Sequence, residues 1–129
     1  MSHFSTIKTK IKHKPQLVEA LELLQYNVEE DLELKVTGPH GIKHEIVEAE
    51  VAITKDIGFR MNPMTGDYEL VADLETWNQP IPVERFLDKV TQQYARMIIH
   101  RTVKELDFVV DEEWEMSDNS IELTVTRWE

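Results

Sequence analysis

The 129-residue sequence contains no cysteine. Disulfides, thiolate catalysis and iron–sulfur ligation are therefore excluded for this chain alone, and the absence fits a reducing compartment. No apolar run approaches the ~18–20 residues that a bilayer-spanning helix needs, so no membrane partner is expected. The start, Met1-Ser2-His3-Phe4-Ser5, lacks the apolar stretch of a secretory signal, which makes a cytoplasmic location the expectation. The four glycines, Gly38, Gly41, Gly58 and Gly66, do not cluster ahead of a helix, so no phosphate-cradling loop is present. Basic residues are also scarce. Lys and Arg number 14 against 25 Asp and Glu, for a formal net charge of -11. That field repels a phosphate backbone at long range and argues against nucleic acid as a partner.

The one basic concentration lies at the start. Lys8, Lys10, Lys12 and Lys14 alternate along a segment, residues 1–14, that holds no acid, and the remaining ten basic and 25 acidic residues give 15–129 a net charge of -15. Ile7, Thr9 and Ile11 occupy the intervening positions. This is the two-residue period of a half-buried strand with an outward lysine face. Pro15 suits the first turn of a helix, and Leu17, Val18, Leu21 and Leu24 continue it at helical spacing.

A set of strands follows. Leu32, Leu34 and Val36 alternate up to a turn at Gly38-Pro39-His40-Gly41. Over 42–54 the apolar phase switches from Ile42 and Ile46 to Val47, Ala49, Val51 and Ile53, and a bulge near Ile46–Val47 reconciles the halves. Ile57, Phe59 and Met61 form the next strand, and a turn at 62–67 leads into Tyr68–Ala72. After an irregular stretch, Asp73–Pro82, a long helix is predicted from about Val83 to Leu106, with the stripe Val83, Phe86, Leu87, Val90, Tyr94, Met97 and Ile98. Two strands around Phe108–Met116 and Ile121–Val125 close the chain. The order predicts one α+β domain over residues 1–129. It consists of an antiparallel sheet of about six or seven strands with two helices, the long one packed across one face. A ferredoxin-like core with an inserted hairpin satisfies the same order. Phe59, Leu70, Phe86, Val90, Tyr94, Met97, Leu123 and Val125 are the expected core.

Chemistry-bearing motifs are sparse. His40 and His44 flank a turn without any recognisable third ligand, so neither a metal nor another cofactor is expected. The acidic run Asp111-Glu112-Glu113 with Glu115 lacks the glycine and spacing of a calcium loop, and reads as a charged strand edge. Arg85, Lys89, Arg96, His100 and Lys104 lie broadly on one side of the long helix, as a solvated face paired with neighbouring acids does. No catalytic set converges. Two surfaces remain as candidate partner-binding sites: the lysine face, Lys8, Lys10 and Lys12, and the stiff loop bearing Trp77, Gln79 and Pro80. They predict a non-enzymatic accessory or adaptor domain that binds another protein or self-associates. The rival reading is a small-ligand-binding protein or enzyme using a cavity between the sheet and the long helix, ending at Trp77.

Several segments together resemble a known family. Met1-Ser2-His3-Phe4-Ser5-Thr6-Ile7-Lys8-Thr9, Asp56-Ile57-Gly58-Phe59 and Tyr68-Glu69-Leu70-Val71-Ala72-Asp73 are three of them. So are Trp77 with Gln79-Pro80-Ile81-Pro82-Val83-Glu84, Phe86-Leu87, Tyr94-Ala95 and the final Arg127-Trp128. These residues resemble the family called hypothetical chloroplast reading frame thirty-five, found in plastid and cyanobacterial genomes. Residues 28–50 fit its pattern least. The resemblance implies a stromal or cytoplasmic protein and brings no catalytic residues with it.

Overall fold

The computed structural model describes residues 4–37, 43–106, 108–115 and 121–127, with side chains for 4–35, 46–106, 113, 121 and 122. Chain order is β1 (Ser5–Lys8), α1 (Lys14–Leu23), β2 (Glu29–Thr37), β3 (Lys43–Thr54), β4 (Ile57–Met61), β5 (Tyr68–Ala72), α2 (Val83–Glu105), β6 (Phe108–Glu115) and β7 (Ile121–Arg127). All pairings are antiparallel. The fold is α+β with seven strands among the described residues, but they form two sheets. Five run in the order β1-β5-β4-β3-β2, and β6-β7 is a separate hairpin. β2 to β5 form a meander that places the first strand beside the fifth, an arrangement distinct from a ferredoxin-like core.

Strand alternation divides the sheet residues between two cores. Ile57, Phe59, Tyr68, Leu70 and Ala72 face the helices. There they meet Leu17, Ala20 and Leu21 of α1 and Phe86, Val90 and Tyr94 of α2. Of the expected core, Phe59, Leu70, Phe86, Val90 and Tyr94 are buried, whereas Met97 is half-buried. The side chains of Leu123 and Val125 lie outside the described ones. Phe86 forms the centre of an aromatic cluster. Its ring lies 5.3 Å from Tyr26 and 5.4 Å from Trp77, both edge-on, and 6.4 Å from Phe59.

The opposite face is covered by the sheet itself. Asp31 and Glu50 drop out of the β2–β3 ladder, and Asp31 sits at φ 56, a left-handed conformation that Asp tolerates better than most residues. Beyond this point the hairpin changes sides. Val51 and Ile53 pack toward the helices, while Val47 and Ala49 join Leu34, Ala52 and Val71 on the other face. The Lys35 N–H donates to the Lys55 carbonyl at 2.8 Å, so the outer half of β2 lies back over the β3–β4 turn. Gly58 makes that passage possible. A Cβ there would stand 2.8 Å from the Val51 carbonyl oxygen, 3.0 Å from the Ala49 Cβ and 3.1 Å from Leu34 Cδ1.

The expected bulge does not lie at Ile46–Val47, which pair regularly with Lys35 and Leu34; the register of this hairpin shifts instead between Val36 and Thr37, whose partners are Glu45 and Lys43. The apparent phase switch arises because Ile46 is an exposed apolar residue on the outward face of the strand, not from an inserted residue.

Gly58→Ala is expected to destabilise the fold by about 1–3 kcal/mol, because backbone and core must shift to admit one methyl group. Asp31→Val is expected to cost about 1–2 kcal/mol through its left-handed backbone. Urea unfolding of both variants measures this, and midpoints equal to the parent's would rule out the bent-hairpin packing.

Candidate functional site

The alternation of residues 5–12 sets up the candidate face. β1 ends at Lys8, paired in register with Glu69, but the in-and-out pattern continues beyond the ladder. The Thr9 hydroxyl donates to the Tyr68 carbonyl, the Tyr68 N–H donates to the Ile11 carbonyl at 2.7 Å, and Ile11 is fully buried. The lysines at even positions consequently point outward, and Lys8, Lys10 and Lys12 are exposed.

Their electrostatic environments differ. Lys12 pairs with Asp67 at 2.8 Å and Lys14 with Glu30 at 2.8 Å. The hydrogen bond to Glu30 raises the Lys14 pKa above its ordinary value. Lys8 and Lys10 make none of the ion pairs formed among the described residues. Two of the four lysines are thus engaged within the chain, and the pair nearest the sheet edge is not.

The segment is fixed from behind by Tyr94. Helix α1 begins at an N-cap, His13, whose side chain makes no capping bond. The Tyr94 hydroxyl oxygen instead accepts the N–H groups of Lys12 and His13, each at 3.1 Å. Beside this junction an apolar groove of about 380 Å3 runs between residues 10–13 and α2, lined by Ile11, Tyr94, Ala95, Ile98 and Ile99.

The Trp77 loop is turned mainly inward. The Trp77 indole packs edge-on against Phe86 and donates through Nε1 to the Ile81 carbonyl at 2.8 Å. Gln79 is half-buried and Pro80 exposed. Asp73 opens the loop, with Oδ1 accepting the Glu75 N–H at 3.0 Å and Oδ2 buried without a hydrogen-bond partner among the described residues. The two candidate surfaces are not brought together. The loop leaves β5 after Ala72, opposite Ser5, whereas Lys8 lies opposite Glu69.

A contact that the sequence reading missed lies on α2. Glu113 of β6 accepts from Arg96 Nε and lies 2.8 Å from His100 Nε2. It therefore fastens the β6–β7 hairpin to the helix. Burial tends to raise the Glu113 pKa, but the His100 and Arg96 contacts outweigh it and hold the carboxyl below its ordinary value. The acidic run is accordingly not wholly solvated, and two members of the basic helix stripe are paired through one of its acids. Arg96 and His100 also line a groove of about 500 Å3 with Glu19, Glu22, Leu23 and Met97. Among the described residues no three His, Asp or Glu side chains converge as a metal site would require, and His40 lies outside those residues. No helix among them is long and apolar enough to cross a membrane.

These features define an α+β protein with exposed lysines along and beyond the β1 edge and with Phe59, Leu70, Phe86 and Val90 buried between sheet and helices. Over residues 20–124 the chain matches the family described as a protein of unknown function, DUF1257, and it belongs to that family. It is similar to the uncharacterized protein ycf35 of Guillardia theta, at 36% identity over 99% of this chain and 98% of the relative. Ycf35 of Cyanophora paradoxa is 33% identical and that of Pyropia yezoensis 36%, with the same shares of each chain covered. These relatives come from the plastid genomes of algae. No solved structure matches the chain.

Two outcomes are expected of these contacts. Tyr94→Phe leaves two backbone N–H groups without their acceptor and is expected to cost about 1–3 kcal/mol in thermal or urea unfolding; an unchanged midpoint would remove Tyr94 as the tie. Because the folded-state pKa of Glu113 is depressed, its contribution is complete above the unfolded carboxylate value, 4.5, and is lost as pH falls through the lower folded value. Amide exchange in β6 and β7 is expected to accelerate in that acid window, and Glu113→Gln to abolish the added pH dependence.

Proposed function

We propose that this protein is a non-enzymatic accessory module of the cytoplasm or plastid stroma that binds an acidic partner protein along β1. The observation that carries the reading is the state of the two sheet edges. The β2 edge is folded back, with its Lys35 N–H donated to Lys55. β1 is the other edge, and it presents Lys8 with Lys10 following directly. One or two lysines suffice to deter edge-to-edge aggregation, whereas here an acid-free basic segment stands on a chain that is otherwise strongly negative.

Lys12 adds to this face. Its pair with half-buried Asp67 leaves the lysine side chain 57% exposed, so a partner carboxylate can share the ammonium without breaking that pair. Gln79 and Pro80 form a secondary contact at the far end of β1, held in place by Trp77. The rival reading, a ligand cavity between sheet and helix, is weakened because Phe59, Leu70, Phe86 and Val90 are all fully buried in that layer. The depression beside Pro80 is only about 180 Å3, below the roughly 300 Å3 at which ligand pockets begin.

Replacing Lys8, Lys10 and Lys12 together with Gln is expected to slow partner association several-fold while the far-ultraviolet dichroism and melting curve stay unchanged. Raising salt from about 50 to about 300 mM should mimic the effect in the parent protein. Co-purification with mass spectrometry identifies the partner and surface plasmon resonance gives the rates. Association indifferent to both the substitutions and salt would exclude β1 as the binding edge.

A further inference from the structure

The groove between residues 10–13 and α2 has an unusual distribution of chemistry. Ile11, Ile98 and Ile99 line it below and exposed Ala95 stands at its mouth, all aliphatic. Two hydroxyls line it: Tyr94 Oη, which already accepts two backbone N–H groups, and that of exposed Thr91. The polar charge is confined to the rim, where Lys10, Lys12 and His13 are all exposed. Such a site offers burial to apolar side chains and attraction to anions beside them, but no converging hydrogen-bond groups to orient a small polar ligand.

Its position specifies the occupant further. Residues 10–13 are the direct continuation of the edge strand β1. An extended chain paired along Ser5–Lys8 in the manner of strand addition would carry its next residues alongside the groove. Only a polypeptide occupies both the strand edge and the groove.

We propose that this groove receives one or two bulky apolar side chains, flanked by carboxylates, from a segment of the partner protein. The proposal rests on the protein-binding reading above and adds what the partner's docking segment looks like. The apolar anchors sit on Ala95, Ile98 and Ile99, and the flanking carboxylates meet Lys10, Lys12 and His13. Anchors in a desolvated groove control dissociation, and rim charges control approach.

The test is selection of random twelve-residue peptides displayed on phage against the full chain. Ala95→Gln serves as the counter-target. Ala95 is exposed on the helix, and Gln is a good helix former that fills the groove mouth without adding charge. Enriched sequences are expected to carry Leu, Ile, Phe or Trp within two residues of Asp or Glu. Synthesised and titrated by fluorescence anisotropy, they should bind about tenfold more weakly to Ala95→Gln and several-fold more weakly to Lys10→Glu. Melting curves confirm that both variants remain folded.

Several results would overturn the proposal. These are no enrichment, enriched peptides without acids, or peptides indifferent to Ala95→Gln. Displacement of the peptides by micromolar dodecanoate would reassign the groove to a free amphiphile. Concentration-dependent dimerisation abolished by Ala95→Gln would reassign it to a second copy of this chain. Failure of the groove and failure of the protein-binding reading are separable. A purified partner whose capture depends on Lys8 and Lys10 but not on Ala95 removes the groove alone, whereas the absence of any lysine-dependent partner removes both.

Discussion

The missing side chain at Gly58 is the constraint from which much of the architecture follows. A five-stranded sheet has two faces to cover, and two helices lie on one of them. The other is closed by the outer half of the β2–β3 hairpin, which turns at Asp31 and Glu50 and lays Leu34 and Ala49 over Gly58. Any larger residue there would meet the Val51 carbonyl. Folding the hairpin back also removes one edge of the sheet from competition, since β2 turns its Lys35 amide toward Lys55. The packing requirement on one face thereby leaves β1 as the edge of this five-stranded sheet that is not folded back.

That remaining edge depends on Tyr94 for its shape. The segment after β1 has to leave the sheet and enter α1 within five residues, 9–13, and neither a capping side chain nor a ladder partner satisfies Lys12 and His13. The hydroxyl at the buried end of Tyr94 accepts both amides and ties the start of α1 to the middle of α2. The same tie sets the spacing between residues 10–13 and the helix, and so creates the apolar groove. Phe86, two turns earlier on α2, plays the corresponding part for the loop. Its ring receives Trp77, whose indole then bonds Ile81. One helix therefore positions both surfaces singled out as binding faces, at opposite ends of β1.

What the sequence disclosed follows the reach of its periodic signals. The stripe of α2 and the alternation of β1, β4 and β5 are local, and their element types and most of their buried residues could be read directly, although the β1 ladder stops at Lys8 while the alternation runs on to Lys12. Partition of seven strands into two sheets could not, because hydrophobic alternation records which face a strand buries and says nothing of its neighbours. The bend in β2–β3 left no periodic trace, because Val47, Ala49, Val51 and Ile53 keep one phase across it while changing faces. Asp31, unlike a glycine, does not advertise a left-handed backbone. Glu113 was hidden for a related reason. In a run of four acids every member has the same chemistry, and only the packing of β6 on α2 distinguishes the one that meets Arg96 and His100. Trp77 was legible as a large aromatic in a stiff loop, and its inward orientation depends on Phe86, nine residues later.

The charge distribution gains its meaning from this geometry. A protein of net charge -11 ought to repel acidic partners at long range, and a basic strip of four lysines would barely alter that if its own acids neutralised it. Internal pairing is graded along the strip. Lys14 and Lys12, nearest α1, reach Glu30 and Asp67. Lys10 and Lys8 stand outside the ion pairs among the described residues. Beyond about 10 Å the net charge is screened at physiological salt, so an approaching partner responds to the local pattern. That pattern is two lysines outside the ion pairs among the described residues, beside a strand edge and an apolar groove, with a third lysine paired to half-buried Asp67 and still exposed. In the proposed complex, attraction of this kind selects carboxylates at short range while the acidic remainder rejects contacts elsewhere, which directs the partner to β1.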